Sequence, residues 1–277
     1  MTALRKLSNG IHVADSDEYR DFWSEVESGS WEPTTLNILQ KSFESRGGIF
    51  IDVGAWIGPT TLFAAKFATK VISYEPDPVA VAELKRNVQA SGFDNIEINE
   101  IALYDRDGTL SFGGGIGGEL GKSGSSLISG SMFTAVETKD IRKLVSLHDW
   151  NTCQVLKIDI EGAEYRLIHL LQPYLYTNRP RLLLSTHSKE IAGHSDFMGY
   201  FKILRSRLQL LFSLGFYSNK FVEVRQGWSD TSAHWERMRT KHIFKFLIFL
   251  NRNFELFYCD DSFHLAESLV KMDNNQI

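Results

Sequence analysis

Asp52-Val53-Gly54-Ala55-Trp56-Ile57-Gly58 joins an apolar run to a helix-like stretch, and Glu75 stands 21 residues beyond Gly54. Glycine at 54 permits a tight turn and close approach of backbone to a ligand, while Gly58 lets the start of a helix pack closely. A carboxylate at 75, ending the next apolar run, can accept both hydroxyls of a ribose lying across a sheet edge. These residues offer a nucleoside site. A dinucleotide fingerprint would read G-x-G-x-x-G, whereas this turn reads D-x-G-x-x-x-G, with no close glycine triplet for a pyrophosphate. The spacing suits S-adenosylmethionine instead, which has a ribose, no phosphate, and a cationic sulfonium and ammonium. The plain alternative is turn chemistry alone, and Glu75 at this distance argues against it.

Residues 49–53 are β-branched and aromatic around Asp52 and read as a buried strand. Helix is expected over 60–67, strand over 71–74, helix over 78–91 closed by Gly92, and strand from 96. After an interruption come a helix over 140–148, a strand over 155–158, a helix over 163–171 and a strand over 181–184. This alternation predicts an open parallel sheet with helices on both faces, an α/β fold. Past Gly199 the pattern loosens into a helix to Leu214 and strands over 216–224 and 254–258. Residues 1–46 are polar and irregular, with one helical candidate over 33–45 whose Leu36, Leu39 and Phe43 share a face. That helix is expected to pack on the core of a domain spanning 47–277, in a single globular unit.

From Gly113 to Gly130, 12 of 18 residues are Gly or Ser, a composition that suits a loop and not a core. Gly121-Lys122-Ser123 ends like a phosphate-binding P-loop, but Ile116 stands where that motif needs Gly, and Ser-Gly-Ser-Ser follows where a helix would start. The expectation is a lid over an acceptor site, with Glu119 and Lys122 as its charged residues; the rival is an insertion without a role. Residues 237–252 are basic and apolar together. Their apolar positions surround the helix instead of forming a stripe, which fits burial or a contact between subunits better than a membrane surface. Trp228 and Trp235 in the same region are candidates for an acceptor pocket, against the simpler reading of packing.

Three runs then become specific together: Phe50-Ile51-Asp52-Val53-Gly54-Ala55, Tyr74-Glu75-Pro76, and Leu156-Lys157-Ile158-Asp159-Ile160-Glu161-Gly162-Ala163-Glu164. They resemble the FkbM family of S-adenosylmethionine-dependent methyltransferases. Trp31-Glu32-Pro33, Asn87 and the strand leading to His187 match as well, so the likeness runs over about residues 31–190. The resemblance implies a seven-stranded Rossmann-like sheet whose last strand is antiparallel, and methyl transfer usually to a hydroxyl oxygen. Trp56 stands where the family usually has Asn, and Ser185 where many members have Glu.

Given that chemistry, Asp159 and Glu161 sit at the carboxyl end of the fourth strand, where open α/β sheets place ligands. A hydroxyl must lose its proton as it is methylated, so a base is needed, and Asp159, Glu161 or His187 can serve. Alignment of the reacting atoms supplies much of the remaining acceleration. The structural alternative for the two acids is capping of the following helix, and for His187 a satisfied strand-end residue. Asp159 also joins Asp52, Gly54, Ala55, Trp56, Gly58 and Glu75 as a cofactor-binding candidate. A carboxylate pair is able to hold Mg²⁺, and the residues leave this open. His194 and Asp196 show no metal-ligand spacing.

The 277 residues carry 30 Lys and Arg against 34 Asp and Glu, a net charge of −4, which argues against a protein built to hold nucleic acid. Cys153 and Cys259 are too few for a disulfide framework. No secretory signal is visible in residues 1–30, and the longest apolar stretch, 243–250, is too short to span a bilayer. A cytoplasmic enzyme acting on a small-molecule or glycan-type acceptor is expected. The rivals are a non-catalytic nucleoside-binding module and, against the turn spacing, a nicotinamide-dependent oxidoreductase.

Overall fold

The computed structural model describes residues 4–45, 47–113, 120–122, 133–161, 163–178, 180–185, 221–225 and 256–260. His187, His194, Asp196, Trp228, Trp235, the 237–252 segment and residues 114–119 and 123–130 of the Gly/Ser segment lie outside them.

The N-terminal segment is more ordered than its polarity suggests. An antiparallel hairpin, β1 (Leu4–Lys6) and β2 (His12–Ala14), leads through a single 3-10 turn at Asp17–Tyr19 into α1 (Arg20–Ser28). Tyr19, Trp23 and Val26 are spaced i, i+4, i+7 and are all buried, which is the amphipathic signal that makes this stretch helical. Gly29, with φ 75°, closes α1, and Pro33 opens α2 (Pro33–Phe43).

Strand and helix then alternate as β3 (Ile49–Val53), α3 (Pro59–Ala65), β4 (Lys70–Tyr74), α4 (Pro78–Ser91) and β5 (Ile96–Asn99). A side sheet follows, built from β6 (Ala102–Tyr104), β7 (Gly108–Gly113) and β8 (Phe133–Asp140). β7 and β8 are antiparallel, with Gly113 opposite Phe133, so the Gly/Ser segment connects the two strands of a side hairpin. The helix expected over 140–148 is instead two short pieces, α5 (Ile141–Leu144) and α6 (His148–Asn151), because Asp140 ends β8 and caps α5 by accepting from the Arg142 amide at 3.0 Å. The chain continues through β9 (Cys153–Ile158), α7 (Glu164–Asn178), β10 (Arg181–Ser185), β11 (Phe221–Arg225) and β12 (Leu256–Asp260).

The main sheet has seven strands in the order β12-β11-β10-β9-β3-β4-β5, and every neighbouring pair is parallel. This corrects the expectation of an antiparallel last strand: Phe221 to Arg225 run alongside Leu256 to Asp260 in the same direction. The connection over 226–255 has the length that a parallel crossover needs. Side-chain alternation along β3 sorts the core into two layers. Ile51 and Val53 meet Leu167, Ile168 and Leu171 of α7, while Phe50 meets Leu39 and Phe43 of α2 and Ala64 of α3. From β3 the chain builds outward through β4 and β5, then returns to β9 and builds the other way. β3 and β9 thus flank the switch point, and open α/β sheets bind ligands in the crevice beyond the carboxyl ends of such a pair.

Candidate active site

The turn after β3 is dictated by two glycines. Gly54 has φ 85°, and a Cβ there would run into the carbonyl oxygen of Asp159, so only glycine lets the two central strand ends come together. Gly58 has φ 97°, the left-handed region that favours glycine, and a Cβ there would have to displace the tip of the Leu84 side chain of α4. Asp52 does not reach the cleft. It is wholly buried, and its Oδ2 accepts from Thr60 Oγ1 at 2.7 Å and Thr61 Oγ1 at 2.8 Å, fixing the start of α3. Asp52 and Gly58 therefore shape the turn from behind, whereas Gly54, Ala55 and Trp56 line the cleft.

Trp56 adopts left-handed backbone at φ 50°, a conformation that costs a bulky residue about 1–3 kcal/mol. Its surroundings hold it there. The Trp56 amide donates to Glu75 Oε2 at 2.8 Å, the indole Nε1 donates to the Gly121 carbonyl at 2.7 Å, and the ring meets Phe22 edge-on with centroids 4.6 Å apart. Gly121 is held further by the Tyr19 hydroxyl, which donates to its carbonyl at 3.1 Å, and by its own amide, which donates to Asp77 Oδ2 at 2.6 Å. Burial, then the nearby carboxylates of Glu18, Glu83 and Asp77, push the Tyr19 phenol far up, so it remains a donor. The middle of the Gly/Ser segment is thereby seated on the wall of the cleft, with Lys122 paired to Glu18 at 3.2 Å.

Glu75 directly follows β4, with only 6% of its surface exposed. Its Oε1 accepts from the Asp77 amide at 2.9 Å, and with the Trp56 contact each oxygen has a backbone donor and lone-pair capacity left for a ligand hydroxyl. Burial pushes its carboxyl up to about 7, against the pull of those two amides.

Asp159 follows β9, and its amide donates to Val53 O at 2.9 Å. Beside it lies Lys157, which is buried in the strand directly across from Asp52. Lys157 Nζ is 3.3 Å from Asp159 Oδ2, 3.4 Å from Asp52 Oδ1 and 3.4 Å from the Gly54 carbonyl, so one ammonium ties both strand ends together. Burial works against that charge, but Asp159, Asp52 and Glu32 outweigh it and hold Lys157 above its ordinary value. Glu161 adopts φ 53° in the next turn and also faces the cleft. Glu164, the first residue of α7, reaches back so that its Oε1 accepts from the Ile160 amide at 2.9 Å, tying the preceding turn to the helix.

These residues surround a cleft of about 270 Å³. Ile101, Ala102, Leu103 and Phe112 contribute apolar lining, and the N-terminal segment contributes Phe22, Glu25, Trp31 and Glu32. The structure thus brings together Gly54, Ala55, Trp56, Glu75, Asp159 and Glu161; His187 lies outside the described residues. Sequence reasoning missed Asp77 and Lys157 as site residues. Asp77 was legible through the Asp-Pro that opens α4, where it accepts from the Val79 amide, and Lys157 as a charge inside an apolar strand. Among the described residues no three or more His, Cys, Asp or Glu side chains gather as a metal site would need, and no helix is long and apolar enough to cross a membrane.

Comparison with known proteins gives a solved structure, wild-type Trm5b from Pyrococcus abyssi, with 19% identity and a TM-score of 0.26 over 38% of this chain. The match spans 31% of that protein's length and is too slight to bear on fold or function. The profile of the methyltransferase FkbM domain matches residues 52–226, from the acid that fixes the glycine turn to the end of β11. With more than half of its 277 residues matched, and with the glycine turn and the Lys-Ile-Asp-Ile-Glu strand end meeting at one cleft, this chain belongs to the FkbM methyltransferase family.

Proposed function

We propose that the cleft binds S-adenosylmethionine and that the protein methylates a hydroxyl oxygen of a small molecule or sugar-containing metabolite. The observation that carries this reading is the placement of Glu75 beside a glycine-forced turn at the switch point of the sheet. The residues present fit the group. Glu75 suits a ribose, the Ile101–Leu103 and Phe112 wall suits an adenine, and Asp159 with Glu161 suits positive charge. Bound S-adenosylmethionine supplies a methyl carbon made electrophilic by its sulfonium.

The protein's own contribution is positioning and proton handling. Lys157 holds the Asp159 carboxylate against the Gly54 turn, so an acceptor hydroxyl brought to this strand end meets an oriented carboxylate base. The hydroxyl proton passes to a carboxylate oxygen of Asp159 or Glu161, with His187 as the further candidate. The seated Gly121 peptide and the aromatic wall of Phe22, Trp31 and Trp56 restrict water at the cleft.

Thermal-shift titration with S-adenosylmethionine and with NAD tests the cofactor, and only the former should raise the melting temperature. Release of S-adenosylhomocysteine with a panel of hydroxylated acceptors tests turnover. Binding without release across the panel would favour a non-catalytic module.

A further inference from the structure

Asn87 is a polar residue within α4, and none of its surface is exposed. Asparagine is a poor helix former, and a buried amide is costly unless both of its ends are bonded. Here both are. Its Oδ1 accepts from the Ala14 amide of β2 at 2.9 Å, and its Nδ2 donates to the Ile57 carbonyl of the glycine turn at 2.9 Å. A backbone N–H can only donate and a carbonyl only accept, so these partners fix which way the side chain faces. The N-terminal hairpin orients Asn87, and Asn87 grips the turn.

The peptide it grips is the one that closes the turn. The Ile57–Gly58 peptide is held on one side by Asn87 and on the other through its own N–H, which donates to the Ala55 carbonyl at 2.9 Å. Trp56, at φ 50°, is the strained corner inside this turn, and its amide is one of the two backbone donors to Glu75. Leu84, three residues before Asn87 and so on the same face of α4, lies over Gly58. The second donor to Glu75, the Asp77 amide, belongs to the N-cap of the same helix. α4 therefore places both amides that hold Glu75, one through its N-cap and the other through the face that carries Leu84 and Asn87.

A plainer role for Asn87 is to satisfy two buried backbone groups and nothing more. The two roles differ at Glu75. Asp52 and Asp77 act on Glu75 with like charge, so its ionised form relies on the two amides. If Asn87 only fills a bonding need, its loss lowers stability and leaves Glu75 as it was. If it pins the turn, its loss lets the strained corner at Trp56 relax and takes one amide away from Glu75.

We propose that Asn87 is a positioning residue for cofactor binding, which keeps the Trp56 amide on Glu75 by pinning the Ile57–Gly58 peptide. This rests on the reading of Glu75 as a ribose acceptor. It adds to the site a residue that is absent from the cleft wall, and through Ala14 it gives a part to the hairpin that lies ahead of the matched residues 52–226.

Asn87→Leu keeps the volume and the charge balance and removes both bonds. In the free, full-length protein the Glu75 carboxyl, followed by carbon NMR and assigned by its loss in Glu75→Gln, should titrate about one pH unit higher in the variant than in the wild type. The substitution changes no charged group. Asp52 and Asp77 act on Glu75 in both proteins, and Glu25, Glu32, Lys122, Lys157, Asp159 and Glu161 line the same cleft in both. Calorimetry should show S-adenosylmethionine bound up to about tenfold more weakly by the variant at pH 6, with the gap narrowing toward pH 9, where Glu75 is ionised in both. Asn87→Ala, which cannot overpack, should give the same two results and takes the place of Asn87→Leu if that variant does not fold. An unmoved Glu75 titration, or weakening by the same factor at every pH, would reduce Asn87 to a structural amide and overturn the proposal. A wild-type protein that binds no S-adenosylmethionine would instead overturn the cofactor reading, and the Glu75 titration of the free protein would still decide whether Asn87 positions it.

Discussion

Gly54 and Asp159 meet across the two central strands so closely that a methyl group on Gly54 would collide with the Asp159 carbonyl. The contact couples the glycine turn to the acidic strand end, and the Asp159 amide bonded to Val53 O at 2.9 Å locks the same junction. Gly54→Ala must therefore part the strand ends and also adopt φ near 85°. It should cost about 2 kcal/mol or more and lower the melting temperature by roughly 4 °C or more. Affinity for S-adenosylmethionine should fall with it. An alanine variant with unchanged melting and binding would show that the junction is not tight.

Glu75 should make binding of S-adenosylmethionine depend on pH. Burial raises its carboxyl to about 7, whereas the unfolded chain titrates near 4.5. A carboxyl raised by folding favours the folded state in its protonated form. Its contribution is full below the unfolded value and is lost as pH rises through about 7. Ribose hydroxyls donate to the ionised form, so binding has the opposite sense: it is full above about 7 and falls, by up to about tenfold per pH unit, below it. The thermal upshift given by S-adenosylmethionine should be larger at pH 8 than at pH 6, and Glu75→Ala should lower affinity at least tenfold and flatten the dependence. A pH-independent upshift in the wild type would count against Glu75 as the ribose acceptor.

Lys157 is the hinge pin of the two strand ends. Lys157→Met leaves the Asp52 carboxylate, which is 0% exposed, without its cation, a change that costs about 3–5 kcal/mol when a buried pair is broken from one side. Adding Asp52→Asn should recover part of that cost, and urea denaturation of the two single variants and the double variant measures the coupling. Strict additivity would mean that the two charges do not communicate.

Asp159→Asn separates catalysis from capping. Asn caps helices about as well as Asp, and the start of α7 is already held by Glu164 through the Ile160 amide. Turnover should drop far more than the melting temperature does. A near-normal rate would return Asp159 to a structural role and leave proton removal to Glu161 or His187.

Trp56→Phe keeps a ring beside Phe22 but removes the indole donor to the Gly121 carbonyl, a bond worth about 1 kcal/mol. Trypsin should cut after Lys122 faster in this variant than in the wild type. Bound S-adenosylmethionine should slow the cut in both, if the peptide seated at Gly121 belongs to the site. Equal cutting rates in all four cases would detach the Gly/Ser segment from the cleft.

The local order of the chain was legible because its signals are local. Apolar runs at 49–53 and 155–158, glycines at 54 and 58 and the acid at 75 state strand, turn and strand-end carboxylate without reference to anything distant. α1 was missed: Tyr19, Trp23 and Val26 carry its helical spacing, but the polar residues between them hid it. What only the tertiary structure decided is which of these residues stand together. Asp52 carries the motif's acid yet lies behind the cleft, because strand alternation turns it toward Thr60 and Thr61. Lys157 becomes a clasp only when β9 is paired with β3, 105 positions away from Asp52 in the sequence. The direction of the last strand likewise rests on pairing, since Leu256–Asp260 reads the same from either side until it lies parallel to Phe221–Arg225. Glu32, Gly121 and Glu161 reach one cleft from three distant segments, an adjacency that no spacing along the chain can state.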